Sequence, residues 1–367
     1  MKILLCPDKF KGSLSAERVC RALGAGLLKA NNNYDIVNIP IADGGDGSID
    51  ILKKTLQLTE QSISTVDPIG RKITTHYYVN QDAAFIELAC ASGIVLLGEY
   101  ERNPLITSTR GTGLMIKNAL DAGYKTIYLF IGGSATNDGG IGIAQALGFD
   151  FLSSNGDQLD PVGRNLINIH EIKNRSNYKF ENININVLCD VSNPMHGANG
   201  AAYVYAKQKG ASDKQIIELD QGLMHFDNIL QTQFNKDIAL DTGMGAAGAV
   251  GASLVGLLGA KLQNGFQMIA EMMKLEQAIK EADLVITGEG KVDATSHQGK
   301  VVGNVLSLCA KHNTQCCIVG GIIESAIKLK NVAYQKSIIS LAGSQSKAMS
   351  EPEKYLAVIG EEISRTG

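Results

Sequence analysis

The stretch that most constrains this chain is TIYLFIGGSATNDGGIGIAQALGF, residues 126–149. Its opening, 126–131, is apolar and β-branched with no charge, which predicts a buried strand. Small residues follow, Gly132-Gly133-Ser134-Ala135-Thr136. Asn137 and Asp138 can cap a helix over about 140–147 that stops near Gly148. Strand, small-residue loop and helix N-terminus together can build an anion site. Glycines let the backbone approach a ligand, and the first free N–H groups of the helix favour phosphate or carboxylate. A tight turn without a ligand has the same appearance. The loop is not a Walker A motif, because no Gly-Lys-Ser/Thr follows at that spacing, and it is not GxGxxG.

The rest of the chain repeats the strand-then-loop logic. Residues 2–6 read as a strand, 7–12 as the loop at its carboxyl end, and Ser13 as the cap of a helix reaching about Ala30. A strand at 34–41, a loop at 42–48 and a helix at 49–56 complete βαβα, the opening of a parallel sheet. Then the pattern changes. Residues 62–66 and 72–79 alternate as strands joined by Asp67-Pro68-Ile69-Gly70, a hairpin, and 83–89 reads as a third strand. Further on, 103–113 reads as a loop leading into a helix to about Ala122, 183–189 as a strand, and 214–232 and 245–260 as helices. Parallel-sheet logic returns with strands at 283–287, 315–319 and 337–341 and a helix at 303–312. The expectation is α/β with two domains, which 367 residues can support. Residues 1–66 and 281–367 form a discontinuous flavodoxin-like or Rossmann-like domain with a five-stranded parallel sheet. Residues 67–280 form an inserted mixed α/β domain. Two continuous domains split near residue 180 are the alternative.

Composition removes some partners. A net charge of −3 implies neither nucleic acid nor an anionic membrane surface. The seven cysteines include no CxxC pair and mostly sit in apolar runs, so they read as reduced, buried thiols of a cytoplasmic protein. The apolar run at 3–6 is too short for a signal peptide and reads as the first strand. Residues 242–260 carry no charge over nearly a membrane span, but six glycines and few large apolar residues favour a buried helix.

In open parallel sheets ligands bind outside the carboxyl ends of the strands. The polar residues gather at such ends: Asp8 and Lys11 after the first strand, Asp43 and Asp46 after the second, Asp190 and Asn193 after 183–189. Glu289, Lys291, Asp293, Ser296 and Lys300 follow 283–287. Each acid alone could be a helix cap or a turn residue; the repeated placement is the stronger observation. Acids, lysines and glycine loops without a Cys/His cluster fit phosphoryl transfer. That chemistry needs N–H groups and lysine for phosphates, carboxylates for Mg²⁺ and one acid near the acceptor hydroxyl. His196 and His297 lie near these loops, but no GxSxG elbow supports a Ser–His–Asp set, and solvated histidines are the simpler reading.

In order, the motifs read PDKFKGSLSA (7–16), ADGGDGS (42–48), DPIGR (67–71), ELACASGI (87–94), RNPLITSTRGTG (102–113), IGGSATNDGGIGIAQALG (131–148), CDVSNPMHGANGAA (189–202), QKGAS (208–212), GAAGAVGA (245–252) and TGEGKVDATSHQGK (287–300). This series resembles the type 1 glycerate kinase family of bacteria over nearly the whole chain. The resemblance implies two α/β domains with the active site in the cleft between them. It implies transfer of phosphate from ATP to D-glycerate, 2-phosphoglycerate as the product, and a requirement for Mg²⁺. The chain departs from the family pattern at Lys9, Asp46, Arg110, Ala249-Val250, Val301-Val302 and Ile322, and no candidate acid is lost.

On that footing Asp190 is the expected base for the glycerate hydroxyl, with a Mg²⁺ ligand or a structural cap as its other readings. Lys11 would neutralise the transferred phosphoryl group, and Asp8 and Asp43 would orient that lysine or hold Mg²⁺ through water. Arg71 is a candidate clamp for the glycerate carboxylate. Gly132, Gly133, Ser134 and Asn137 would hold a phosphate or that carboxylate. Gly288, Glu289, Gly290 and Lys300 would hold the nucleotide, with Asp293 on its metal. Two other functions stay open: a kinase of another small hydroxy acid, and a non-catalytic protein that binds an anionic metabolite. Oligomeric state is not legible.

Overall fold

The computed structural model describes residues 1–45, 47–293, 300–324 and 332–366. Asp46, Ser296 and His297 lie outside the described residues. The chain divides into two compact units: Met1–Asp43 with Asp50–Thr55 and Gly265–Gly367, and Gly44–Ile49 with Leu56–Asn264. The described strands are β1 (Lys2–Leu5), β2 (Asp35–Asn38), β3 (Thr59–Val66), β4 (Lys72–Val79), β5 (Ala84–Glu87), β6 (Thr126–Phe130), β7 (Phe149–Leu152), β8 (Glu171–Asn174), β9 (Asn184–Leu188), β10 (Lys261–Gln263), β11 (Leu284–Val292), β12 (Gln315–Ile323) and β13 (Val332–Ser337).

The first unit is built on a parallel sheet of order β2-β1-β11-β12-β13. Counted within the unit this is 2-1-3-4-5, the flavodoxin arrangement, with its switch point between β1 and β11. The helices Ala16–Ala30 and Pro352–Thr366 cross so closely that a Cβ on Gly26 would lie 1.9 Å from the Ala357 carbonyl oxygen. Ile3, Leu5, Leu23, Leu27, Leu356 and Ile359 bury one apolar cluster there. The cap of the first helix is Ser15, which accepts from the Arg18 amide, and not Ser13. β11 and β12 run further than expected, with Gly288 opposite Val319 and Glu289 opposite Gly320. Gly288, Glu289 and Gly290 are therefore strand residues and not a loop. The expected last strand at 337–341 is instead the end of β13 followed by a helix, Ile338–Ala342. A pair of isoleucines suits either state. Ser337, accepting from the Ser340 amide at 3.3 Å, decides for the helix.

The second unit holds a mixed sheet of order β10-β9-β6-β5-β4-β3. Its strands β5, β6, β9 and β10 are parallel, and β3–β4–β5 run antiparallel. β3 pairs with β4 from Thr59↔Val79 to Val66↔Lys72, so this strand belongs here although the sequence boundary at 66 sets it apart. β7 and β8 form a separate antiparallel ribbon that the sequence reading did not anticipate. The apolar interior includes Ile86, Met115, Leu129, Ile143, Val187 and Phe226. The glycine-rich helix expected over 245–260 is broken into Ala246–Ala249 and Gly251–Gly256. At the break Ala247 (φ 51), Gly248 (φ 75) and Ala249 (φ 62) are all left-handed. Among the described residues no helix is long and apolar enough to cross a membrane.

Candidate functional site

Each unit carries polar residues beyond the carboxyl ends of its parallel strands. In the second unit the glycine loop follows β6. Gly132 is half-buried, Gly133 is exposed at φ 72, and Ser134 is 8% exposed, whereas 135–140 are buried. Along this loop exposure is confined to Gly132 and Gly133. The segment after β5 serves as its rail: Ile94 donates to the Gly133 carbonyl and Ala135 to the Ser92 carbonyl, both at 2.9 Å. From the other side Gly248 admits the loop, since a Cβ there would sit 2.1 Å from the Thr136 carbonyl oxygen.

The helix after this loop, Ile141–Ala146, is shorter than expected, and its entry is already occupied. Asp138 is fully buried and accepts from the Thr109 amide (2.7 Å), the Thr109 hydroxyl (2.8 Å) and the Gly140 amide (3.2 Å). Burial raises its carboxyl pKa, and these bonds pull it back. The anion at this helix end is thus Asp138 itself, which ties two helix starts together. Asn137 is fully buried, and among the described residues neither its side-chain polar atoms nor the Thr136 hydroxyl has a hydrogen-bond partner.

Behind the loop stands a residue the sequence reading passed over. Lys209 is 3% exposed, and its Nζ donates to Ser134 Oγ at 2.8 Å and to the Thr136 carbonyl at 2.7 Å. Burial lowers its pKa to about 7, against the opposing pull of Asp138. Gly210, at φ 96, makes the turn possible, because a Cβ would lie 2.2 Å from the Arg102 carbonyl oxygen. The only sequence signal was the motif QKGAS, in which Lys209 looks like any surface lysine.

Asp190 is exposed in the loop after β9, as its sequence position predicts. That loop is held by Asn193, which accepts from the Tyr205 hydroxyl (2.6 Å) and donates to the Asn199 carbonyl (2.9 Å). His196 lies beside Asp227 at 3.2 Å. Arg71 is committed elsewhere: its Nε donates to Asp67 at 2.5 Å, and its two Nη atoms reach Glu101 at 2.6 Å and the Leu96 carbonyl at 3.1 Å. A guanidinium shared by two carboxylates ties the hairpin to the segment 96–101.

In the first unit the acids meet at the switch point. The Asp8 amide donates to the Gly288 carbonyl at 2.8 Å, joining the loop after β1 to β11. Burial, then repulsion from Asp43 and Glu289, pushes the Asp8 carboxyl up to about 7. Lys11 lines a cavity of about 150 Å³ together with Phe10, Ser13, Gly290 and Gly321. Asp293 lies 3.3 Å from Lys291 and 3.5 Å from Lys300. Lys291 also reaches Glu324 at 2.8 Å, so its charge is shared between two carboxylates. Lys300 precedes the helix Val301–His312.

Acids at strand ends, lysines and a glycine loop on two α/β units are the equipment of a phosphotransferase. Residues 3–367 match the glycerate kinase family, to which the chain belongs. It is 38% identical to the glycerate 2-kinase of Escherichia coli K12 over 92% of this chain and 89% of that protein. It is 38% identical to the glycerate kinase of Halalkalibacterium halodurans over 87% and 85% of the respective chains. A crystal structure from Salmonella typhimurium LT2, described as a glycerate kinase 2, superposes with a TM-score of 0.87 at 32% identity, covering 100% of this chain and 98% of that one.

Proposed function

We propose that the protein transfers the γ-phosphoryl group of ATP to a hydroxyl of D-glycerate, giving ADP and phosphoglycerate, with the 2-phosphate as product. The observation that carries this reading is the match of residues 3–367 to one kinase family. Asp190, exposed beyond β9, takes the acceptor hydroxyl proton as the new P–O bond forms and the bond to ADP breaks. Ser134 and the exposed glycines before it hold an anionic group of a substrate. Lys11 offsets charge on the transferred phosphoryl group.

Asp8 and Asp43 fit Mg²⁺ held through water. Burial is the main cause that raises Asp8, and the added repulsion from Asp43 and Glu289 is the part that a divalent cation would remove; Mg²⁺ keeps several waters and few protein ligands. When bound, the ion neutralises phosphate oxygens. Turnover of D-glycerate, L-glycerate and related hydroxy acids, read as ADP release, tests the acceptor. A second acceptor class is favoured by one observation. Arg110 and Arg164 line a cavity of about 270 Å³ with Ser108, although Asp67 and Asp160 line it too and offset part of their charge. Preference for a more highly charged acid in the same panel would place the substrate there.

A further inference from the structure

We propose that Lys209 is a positioning residue of this reaction: it holds Ser134 Oγ from behind, so that the hydroxyl hydrogen points outward to an anionic oxygen of the substrate. The inference rests on the reading of Gly132–Ser134 as a substrate contact.

In its protonated form, which prevails below about pH 7, Lys209 has three donors and no acceptor. Lys209 spends one on Ser134 Oγ (2.8 Å) and one on the Thr136 carbonyl (2.7 Å). A hydroxyl whose oxygen accepts keeps its hydrogen for another acceptor. Ser134 is itself buried at 8% exposure, but it directly follows the exposed Gly133, which makes it the first polar side chain next to the accessible part of the loop. A charge directly behind a hydroxyl in a poorly hydrated place makes it a stronger donor. The chain goes to some length to put the charge there. Gly210 adopts a left-handed turn against Arg102, and Ala206 and Ala211 on either side are buried in a small apolar cluster.

The shared ligand chemistry is a carboxylate or a phosphate oxygen, and kinetics separates the two sources. Wild type, Lys209→Met, Lys209→Arg, Ser134→Ala and the Lys209→Met/Ser134→Ala pair are compared with D-glycerate and Mg·ATP varied separately. Lys209→Met and Ser134→Ala should each raise the KM of one substrate by ~10-fold or more and leave the other within about twofold. Lys209→Arg should recover part of the loss, and the double variant should be no worse than the poorer single one. A raised KM for D-glycerate assigns the carboxylate, and a raised KM for ATP assigns a phosphate. Unchanged KM values, both raised alike, or additive losses would overturn the proposal. If Lys209→Met does not fold, Ser134→Ala alone decides, since an unchanged KM for both substrates there contradicts it. Absence of turnover by the wild type counts against the function itself. Calorimetric binding of D-glycerate and ATP to the same variants would then read the same pattern.

Discussion

At the scale of single residues, burial separates groups that look alike in the sequence. Asp8, Asp138, Asp190 and Asp293 are four acids after strands. Asp138 is a fully buried structural anchor, Asp293 sits between two lysines, Asp190 is exposed, and Asp8 is repelled by its neighbours. Asp190→Asn should lower kcat by about 10²–10⁴-fold with the fold intact, as expected for loss of a general base; retained kcat would remove Asp190 from that role. For Asp8 the sign follows from a folded pKa of about 7 against an ordinary value of 3.8. The folded state binds the proton more tightly, so the group's cost is absent below about pH 4 and grows as pH rises to about 7. In the absence of divalent cations Asp8→Asn should therefore melt higher than the wild type at about pH 8. The two should converge below about pH 4. The same variant should lose activity. Lys209 was not legible because nothing in a sequence marks one lysine among many as buried, whereas the placement of Ser134 and Asp190 in loops after strands was legible because apolar runs precede those loops.

At the scale of elements, the strand-to-loop units were legible in the alternation of apolar runs and glycine-rich loops. Three errors have a common source: runs of small or β-branched residues fix burial but not conformation. Ile338-Ile339 read as strand and is helix, 245–260 read as one helix and is broken, and Gly288–Gly290 read as a loop and is strand. The break at Gly248 has a purpose that only packing reveals, since it lets the 132–138 loop lie against the chain. Gly248→Ala adds strain at φ 75 and a collision with the Thr136 carbonyl. It should destabilise by more than ~3 kcal/mol and lower activity. Gly156→Ala is the control: φ is 82, nothing lies within 4 Å, and a cost of only about 1–2 kcal/mol is expected. Urea unfolding of both variants measures the difference, and equal costs would mean that Gly248 matters for its backbone alone.

At the scale of the whole molecule, the division into a flavodoxin-ordered sheet and a mixed sheet was readable from where βαβα gives way to a hairpin. The exact edge was not, because the strand Thr59–Val66 follows a helix of the first unit and pairs in the sheet of the second. The cysteines fit the reduced state expected of them: all seven are free, and only Cys90 and Cys189 are not fully buried. Burial pushes Cys189 up to about 11 and Cys20 to about 12. Native protein should therefore react rapidly with a thiol reagent at no more than these two positions, unfolded protein at all seven, and reductant should leave Tm unchanged.

The central claim is phosphoryl transfer to glycerate, and its most direct test is ADP release from purified protein with Mg·ATP, with and without D-glycerate, followed by ³¹P NMR of the product. Glycerate-dependent ADP release and a phosphorus resonance of 2-phosphoglycerate are expected. A resonance of 3-phosphoglycerate would correct the position of transfer. No turnover with D-glycerate or any other hydroxy acid would contradict the claim.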